Sequence, residues 1–438
     1  MARNRVIYQS EALFATEKDQ HHNLSSANQL LRVQDISHGV EINRTDINEF
    51  GQLTAIERKV IEPPTVNLDF SYYAHGGHNE KNLGFQFTTD RSTDDATGHE
   101  QLKQALSGFM TAASDDKNYY ISVASYGDDN NELADGAQEG VIGIGNGSLT
   151  SYSIEAAVGD IATCSVSVEA SNIVFQSSGT NIANPALNSG TGATLYPQTD
   201  GAGSLVTGAG NLPNFPAGSL AGQKAGDYDV ACVRPGDIII NFNDAGLAGA
   251  KDSSDISGQS VSMGGAFMET NSACHIQSFT LDVPMSRTPL NRIGSVFPYG
   301  RELDTPMTIT LSVSALMSDL ADGALANLLC NDAEQRNVRI TLRQPCSADD
   351  DSGDNAEIVQ EYLVKGLSLD SQNFSSSIGD NKTVDLVFST QQGGANGTGN
   401  GLYMWKTDTA DYAIGSDPIV YGQDADAPAT YAPGSSLG

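Results

Sequence analysis

Arginine is scarce in this chain, yet four arginines stand at matched places: Arg44 and Arg58, then Arg287 and Arg301, each 243 residues further on. A guanidinium is a planar fork of donors suited to carboxylates. With 54 Asp and Glu against 23 Lys and Arg, these four are expected to pair with carboxylates, across an interface or within their own segment. That is binding chemistry, and the patterns of catalysis are missing. The sequence has no GxGxxG after a strand, no P-loop with its Lys and no HExxH. Gly143-Ile144-Gly145-Asn146-Gly147 has no helical pattern after it and reads as a turn, not a phosphate cradle. His75 and His78 flank Gly76-Gly77 without a third ligand at metal spacing, and read as a solvated turn. The carboxylates Asp349, Asp350, Asp351, Asp354 and Glu357 miss the calcium-loop pattern, because Gly353 falls one place early and no Glu closes the loop. They read as a charged loop tip. The expectation is a protein that is not an enzyme, with no catalytic residues, metal or cofactor.

The recurring arginines belong to a longer repeat, which comes before any other fold argument. Gln34 to Tyr73 returns as Gln277 to Ser314, without a gap. Nine identities (Arg44, Thr45, Asn48, Gly51, Arg58, Pro63, Thr65, Leu68 and Ser71 with their counterparts) fall in the 28 positions from Arg44 to Ser71, where average composition gives roughly two. In both copies an alternating strand (Val66, Leu68, Phe70, Tyr72; Ile309, Leu311, Val313) follows some two dozen charged residues of no clean period. Such a loop is long for a compact domain. Phe50, Leu53, Ile56 and Val60 would be wasted on solvent, so this arm is expected to lie on a neighbouring subunit.

A second echo ties Ser148-Leu149, Ser151, Val158-Gly159-Asp160 and Thr163 to Ser368-Leu369, Ser371, Ile378-Gly379-Asp380 and Thr383. Each half is expected to run strands, long arm, strand, helix (His99 to Ala113; Met317 to Leu329), strand and closing hairpin. The expected boundaries are a first domain over 1–176, a Gly/Ala/Ser-rich linker or surface insertion over 177–228, a second domain over 229–392 and a polar C-terminal extension over 393–438. Composition of the linker suggests little burial, although Leu195, Tyr196, Leu212 and Phe215 could lie down on a surface.

The net charge is −31, divided between the halves as −14 up to Gln176 and −17 after it, so the acidity is not a tail. A surface this acidic repels phosphate, which argues against nucleic-acid binding and against anionic membranes. No stretch is apolar enough for a membrane span or a secretory signal. Cys164, Cys232, Cys274, Cys330 and Cys346, odd in number and without CxxC, read as reduced core thiols.

Taken together, RVIYQSEALFA, LLRVQDISHGVEI, the long arm with RTDINEFG, VNLDFSYY, one helix and closing strands resemble the tail tube proteins of tailed bacteriophages. The duplication is similar to their double-domain form, in which three chains make a ring of six domains. The resemblance covers about Arg5 to Val168 and Val230 to Phe388. It implies a mainly β fold, an internally duplicated β-sandwich with one helix per domain, whose inner sheets join across subunits into a closed barrel. It implies a homotrimer stacking into a tube in the virion, assembled in the host cytoplasm. The implied partners are itself, a tape-measure protein and tail-tip and terminator proteins; DNA passes through unbound during ejection. The arms Ile42 to Thr65 and Met285 to Thr308 become ring-stacking elements, with Arg44, Thr45, Asn48, Phe50, Arg58, Arg287, Thr288, Asn291, Ile293 and Arg301 as interface residues. Two other readings are a tail-completion or neck ring of the virion, and a halophilic glycan-binding β-protein or hydrolase using paired carboxylates; against the latter, one Trp, Trp405, is thin provision for a sugar platform.

Overall fold

The computed structural model describes residues 11–18, 24–88, 103–111, 115–125, 128–130, 133–187, 213–216, 232–243, 274–294, 297–298, 300–317, 336–343, 358–375, 383–395 and 399–406. Its first half carries β1 (Glu11–Glu17), β2 (Val33–Glu41), β3 (Arg44–Ile47), β4 (Glu57–Val60), β5 (Thr65–Tyr73), α1 (His78–Leu83), α2 (Ser107–Thr111), β6 (Lys117–Val123), β7 (Gly140–Ala157), β8 (Thr163–Ala170) and β9 (Asn172–Gln176). The second carries β10 (Ile238–Asn243), β11 (Cys274–Pro284), β12 (Arg287–Leu290), β13 (Gly300–Leu303), β14 (Thr308–Met317), β15 (Arg336–Arg343), β16 (Ile358–Ser375), β17 (Thr383–Gln391) and β18 (Gly401–Lys406). Among the described residues the protein is mainly β, with strands far outweighing two short α-helices.

The strand order β16-β17-β14-β11-β7-β8-β5-β2 runs through both halves without a break. Alternation explains it. In β5, Val66, Leu68, Phe70 and Tyr72 are buried while Asn67 and Asp69 are exposed, the period of two that a half-covered strand requires. β7 and β16 are long enough to serve two sheets. The first part of β7 pairs with β6 and β9, and its second part with β8 and β11. A register shift between Leu149 and Ser151 marks the change of sheet, and one between Leu369 and Ser371 does so in β16. Bulges of this kind bend a strand. One apolar core from Leu13 to Met404 joins both halves, and a smaller cluster of Phe14, Tyr120 and Phe215 lies on the far side of β1 and β6.

Several expectations change. The arms are two-stranded ribbons, β3 with β4 and β12 with β13, rather than irregular loops; four residues per strand are too few to show a period. Gly143 to Gly147 is not a turn but the middle of β7. A Cβ at Gly145 would lie 2.2 Å from the Pro185 carbonyl oxygen, and one at Gly147 2.7 Å from the Tyr119 ring, so these glycines serve close approach. The segment after Gln176 is no loose linker where it is described: Ile182, Ala186, Leu187 and Phe215 are buried, with Phe215 edge-on to Phe14 at 4.7 Å. Leu195, Tyr196 and Leu212 lie outside the described residues. β18 falls inside the expected polar extension, yet Leu402, Tyr403 and Met404 are buried against β16. The carboxylates from Asp349 to Glu357, the second helix at Met317 to Leu329 beyond its first residue, and residues 407–438 are outside the described residues. Of the first helix only Ser107–Thr111 is seen as such.

His75 and His78 are not on a solvated turn. Both are buried, and His78 opens α1, with its Nε2 3.1 Å from the Gln29 carbonyl oxygen. Burial holds the His75 pKa down at about 3 and that of His78 at about 4, so both are neutral near pH 7. The two glycines before α1, at φ 41° and 72°, let the chain fold straight back into the core. Cys164 is a buried free thiol, Cys232 a half-buried one.

Candidate assembly interface

Directly paired residues in antiparallel strands share a face. Following the registers from β2 to β16 therefore separates two surfaces. One is the core face. The other carries mostly Ser, Thr, Asn and Gly with Asp35, Glu41, Asp69, Glu155, Glu169, Asp282 and Asp385, together with Tyr73, Pro284 and Val387, and none of the strand residues on it is Lys or Arg. Burial raises the Asp282 pKa from its ordinary value. Among the described residues the run ends in two unpaired edges, β2 on one side and the second part of β16 on the other. The barrel implied above is thus not closed within one chain, which forms an open sheet.

The two arms share one backbone plan and differ in their surroundings. Gly51 and Gly294 take φ of 98° and 93° at equivalent turn positions. Arg44, Thr45 and Asn48 are exposed, and Arg58 pairs across the ribbon with Asp46 at 2.7 Å. In the second arm Arg287 turns inward. It donates from Nε to the Leu149 carbonyl at 2.9 Å and from Nη2 to Asp115 of the first half, with 2 % of its side chain exposed. Arg301 meets Glu169, also of the first half, at 3.2 Å. Burial, the largest influence, lowers the Arg301 pKa; Glu169 and Asp116 act against it. Thr288 Oγ1 donates to Asp304 at 2.6 Å, while Asn291 is exposed. Three of the four arginines pair with carboxylates, one within its arm and two across the junction of the halves, while Arg44 is exposed.

The arm tips show a further likeness. Phe50, Leu53 and Ile293 are fully exposed, at 107 %, 108 % and 106 %. Phe50 and Ile293 occupy the same place in the two copies. Isolated exposed apolar residues need no explanation, but matched ones on two projecting ribbons do. The structure does not bring the ten arm residues together; it holds them on two separate ribbons.

Sequence reading missed the polar centre of the core. The Glu80 Oε1 accepts from Tyr72 at 2.9 Å, Tyr152 at 3.0 Å and, from the second half, Tyr362 at 3.4 Å. Tyr152 and Tyr362 are 2.8 Å apart, and Cys164 adjoins them. Burial raises the Glu80 pKa, against the pull of the three tyrosines. Cys164 Sγ also lies 3.8 Å from the Glu80 Oε1, and the whole cluster is buried, so it ties the halves together. Among the described residues no group of His, Cys, Asp and Glu is arranged to hold a metal ion, and no helix is long and apolar enough to cross a membrane.

No protein-family model matches the chain, and no curated protein matches it. Solved structures offer slight likenesses. A chain from the tail of an empty gene transfer agent particle, refined with C6 symmetry, is 15 % identical over 26 % of this chain and 75 % of its own, at a TM-score of 0.16. A chain from the virion of a native gene transfer agent particle is 13 % identical over 29 % of this chain and 79 % of its own, also at 0.16. Likenesses of that size carry no argument about the fold or its use.

Proposed function

We propose that this chain is a structural protein of a phage-like virion, the repeating subunit of a tail tube. The observation that supports it is the eight-strand run from β16 to β2, apolar on one face, small, polar and acidic on the other, and unpaired at both edges. A sheet with that character and two open edges is suited to joining other copies side by side. If three copies do so, a barrel of about 24 strands results, roughly 48 Å across the backbone at a strand spacing near 4.8 Å and a tilt near 40°. Its lining would be the polar face. A duplex with a negative charge every ~1.7 Å meets a mostly small, polar and acidic lining without Lys or Arg on its strands there, and slides without sticking. The arms, with their exposed tips, stack one ring upon the next.

In this reading there is no catalysis and no cofactor. The partners are further copies, with tape-measure, tip and terminator proteins at the ends of the tube. The test is negative-stain electron microscopy of the full-length protein beside a variant whose residues 44–65 are replaced by a short Gly/Ser linker. Tubes from the first and single rings from the second are the expected pair. Rings that never stack in either sample would favour the tail-completion reading. Protein that stays monomeric at every salt and concentration would overturn both.

A further inference from the structure

The chain contains a worked example of how its own edges join. Inside one molecule, β11 of the second half lies against β7 of the first, with Leu281 opposite Ile154, Asp282 opposite Ser153 and Val283 opposite Tyr152. β11 is the repeat of β2, and β16 is the repeat of β7. The pairing that would repeat this junction, β2 with β16, cannot form within the chain, because the two strands stand at opposite ends of the run.

Burial shows what is missing at those ends. Leu281, Val283 and Met285 are buried at the junction. Their counterparts in β2 and just after it, His38, Val40 and Ile42, are exposed, Val40 by 49 % and Ile42 by 46 %. On the other side Ile154 is buried, whereas Phe374, its counterpart in β16, is 42 % exposed. Among the described residues the same places in the same fold are thus covered at the internal junction and more exposed at the two ends of the run, where the exposed side chains include a Val and an Ile.

We propose that β2 of one copy pairs antiparallel with β16 of the next in the register of the internal junction: Ser37 opposite Ser375, His38 opposite Phe374, Gly39 opposite Asn373, Val40 opposite Gln372 and Glu41 opposite Ser371. The partner is a second copy of this chain, joined head to tail, and such contacts close into rings or run on as filaments. The internal junction also fixes the entry to the arm. There the Met285 amide donates to the Thr150 carbonyl at 2.8 Å and Arg287 Nε to that of Leu149. Between copies the same geometry has Ile42 donating to Asp370, and Arg44 to Leu369, which gives the exposed Arg44 its acceptor. This inference rests on the assembly reading above and narrows it to one pair of edges and one register.

Cysteine pairs test it, since a disulfide requires Cα atoms within roughly 7 Å. Gly39→Cys with Asn373→Cys, and Val40→Cys with Gln372→Cys, are in register and are expected to give a ladder of covalent dimers and higher species under mild oxidation. Ser37→Cys with Ser371→Cys shares a face but is displaced by four residues, about 13 Å along the strand, and is expected to give no more than the single variants, which also report on the native thiols. Cross-linking of the displaced pair instead of the other two would overturn the register. Protein that still assembles by sedimentation or microscopy, yet cross-links through none of the pairs, would overturn these edges as the interface and leave the tube reading standing. Monomers throughout would overturn both. Val40→Asp separately is expected to weaken self-association at least tenfold with the monomer's melting unchanged; undiminished assembly would count against the proposal.

Discussion

At the scale of the residue, identical side chains do different work according to what covers them. Arg287 is buried with its carboxylate, so Arg287→Ala leaves Asp115 without its partner and is expected to cost about 3–5 kcal/mol in chemical denaturation. Arg58, exposed with Asp46 at the ribbon surface, should cost under about 1 kcal/mol when replaced by Ala in the same measurement. The buried titratable groups oppose one another. Glu80, with its pKa raised by burial, contributes stability that is complete below its ordinary carboxylate value and lost as pH rises through the raised one. His75 and His78, lowered to about 3 and 4, do the reverse: the unfolded chain takes up protons first, so stability falls as pH drops below the ordinary imidazole value near 6.5. Melting temperature against pH is therefore expected to pass through a maximum, and Glu80→Gln to flatten its alkaline side only. An unchanged alkaline slope would show that Glu80 ionises alike in the folded and the unfolded chain, against a raised pKa.

At the scale of the element, two devices stand out: the bent strand that serves two sheets and the ribbon that projects from them. Gly145 in β7 has the Pro185 carbonyl where a Cβ would go. Gly145→Ala must push the 177–187 segment away and is expected to destabilise by about 1–3 kcal/mol, read from the denaturation midpoint. The ribbon tips are fully exposed at Phe50, Leu53 and Ile293, so they should be separable from folding. Replacing Phe50, Leu53 and Ile293 together by Ser is expected to leave melting unchanged and rings intact while tubes shorten or vanish in micrographs. Full-length tubes from that triple variant would remove the tips from stacking.

At the scale of the whole molecule, a charge of −31 on every copy works against any assembly of them. Raising salt shortens the screening length from about 30 Å at 0.01 M to about 3 Å at 1 M. Sedimentation is therefore expected to show assembly growing as salt rises, the opposite of an association held by surface ion pairs. If assembly falls instead, attraction between unlike charges dominates the contacts, and the apolar edge and tip contacts are not what drives it.

The amino-acid sequence by itself determined the repeat, the alternating strands from Val66 to Tyr72 and from Ile309 to Val313, and the acidity, because each of these is written in local order and composition. It also placed the arms, though their ribbon form was hidden in strands only four residues long. The burial of His75, the close packing at Gly145, the strand at Gly401–Lys406 and the meeting of Glu80 with three tyrosines depend on what another part of the chain brings near, and only the tertiary structure decided them. The clearest case is the repeat itself. Val40 and Val283 are the same residue at the same place in two copies of one pattern, one bare and one buried. Local sequence specifies which face of a strand is apolar; whether a neighbour lies along its edge is settled by the pairing of distant strands.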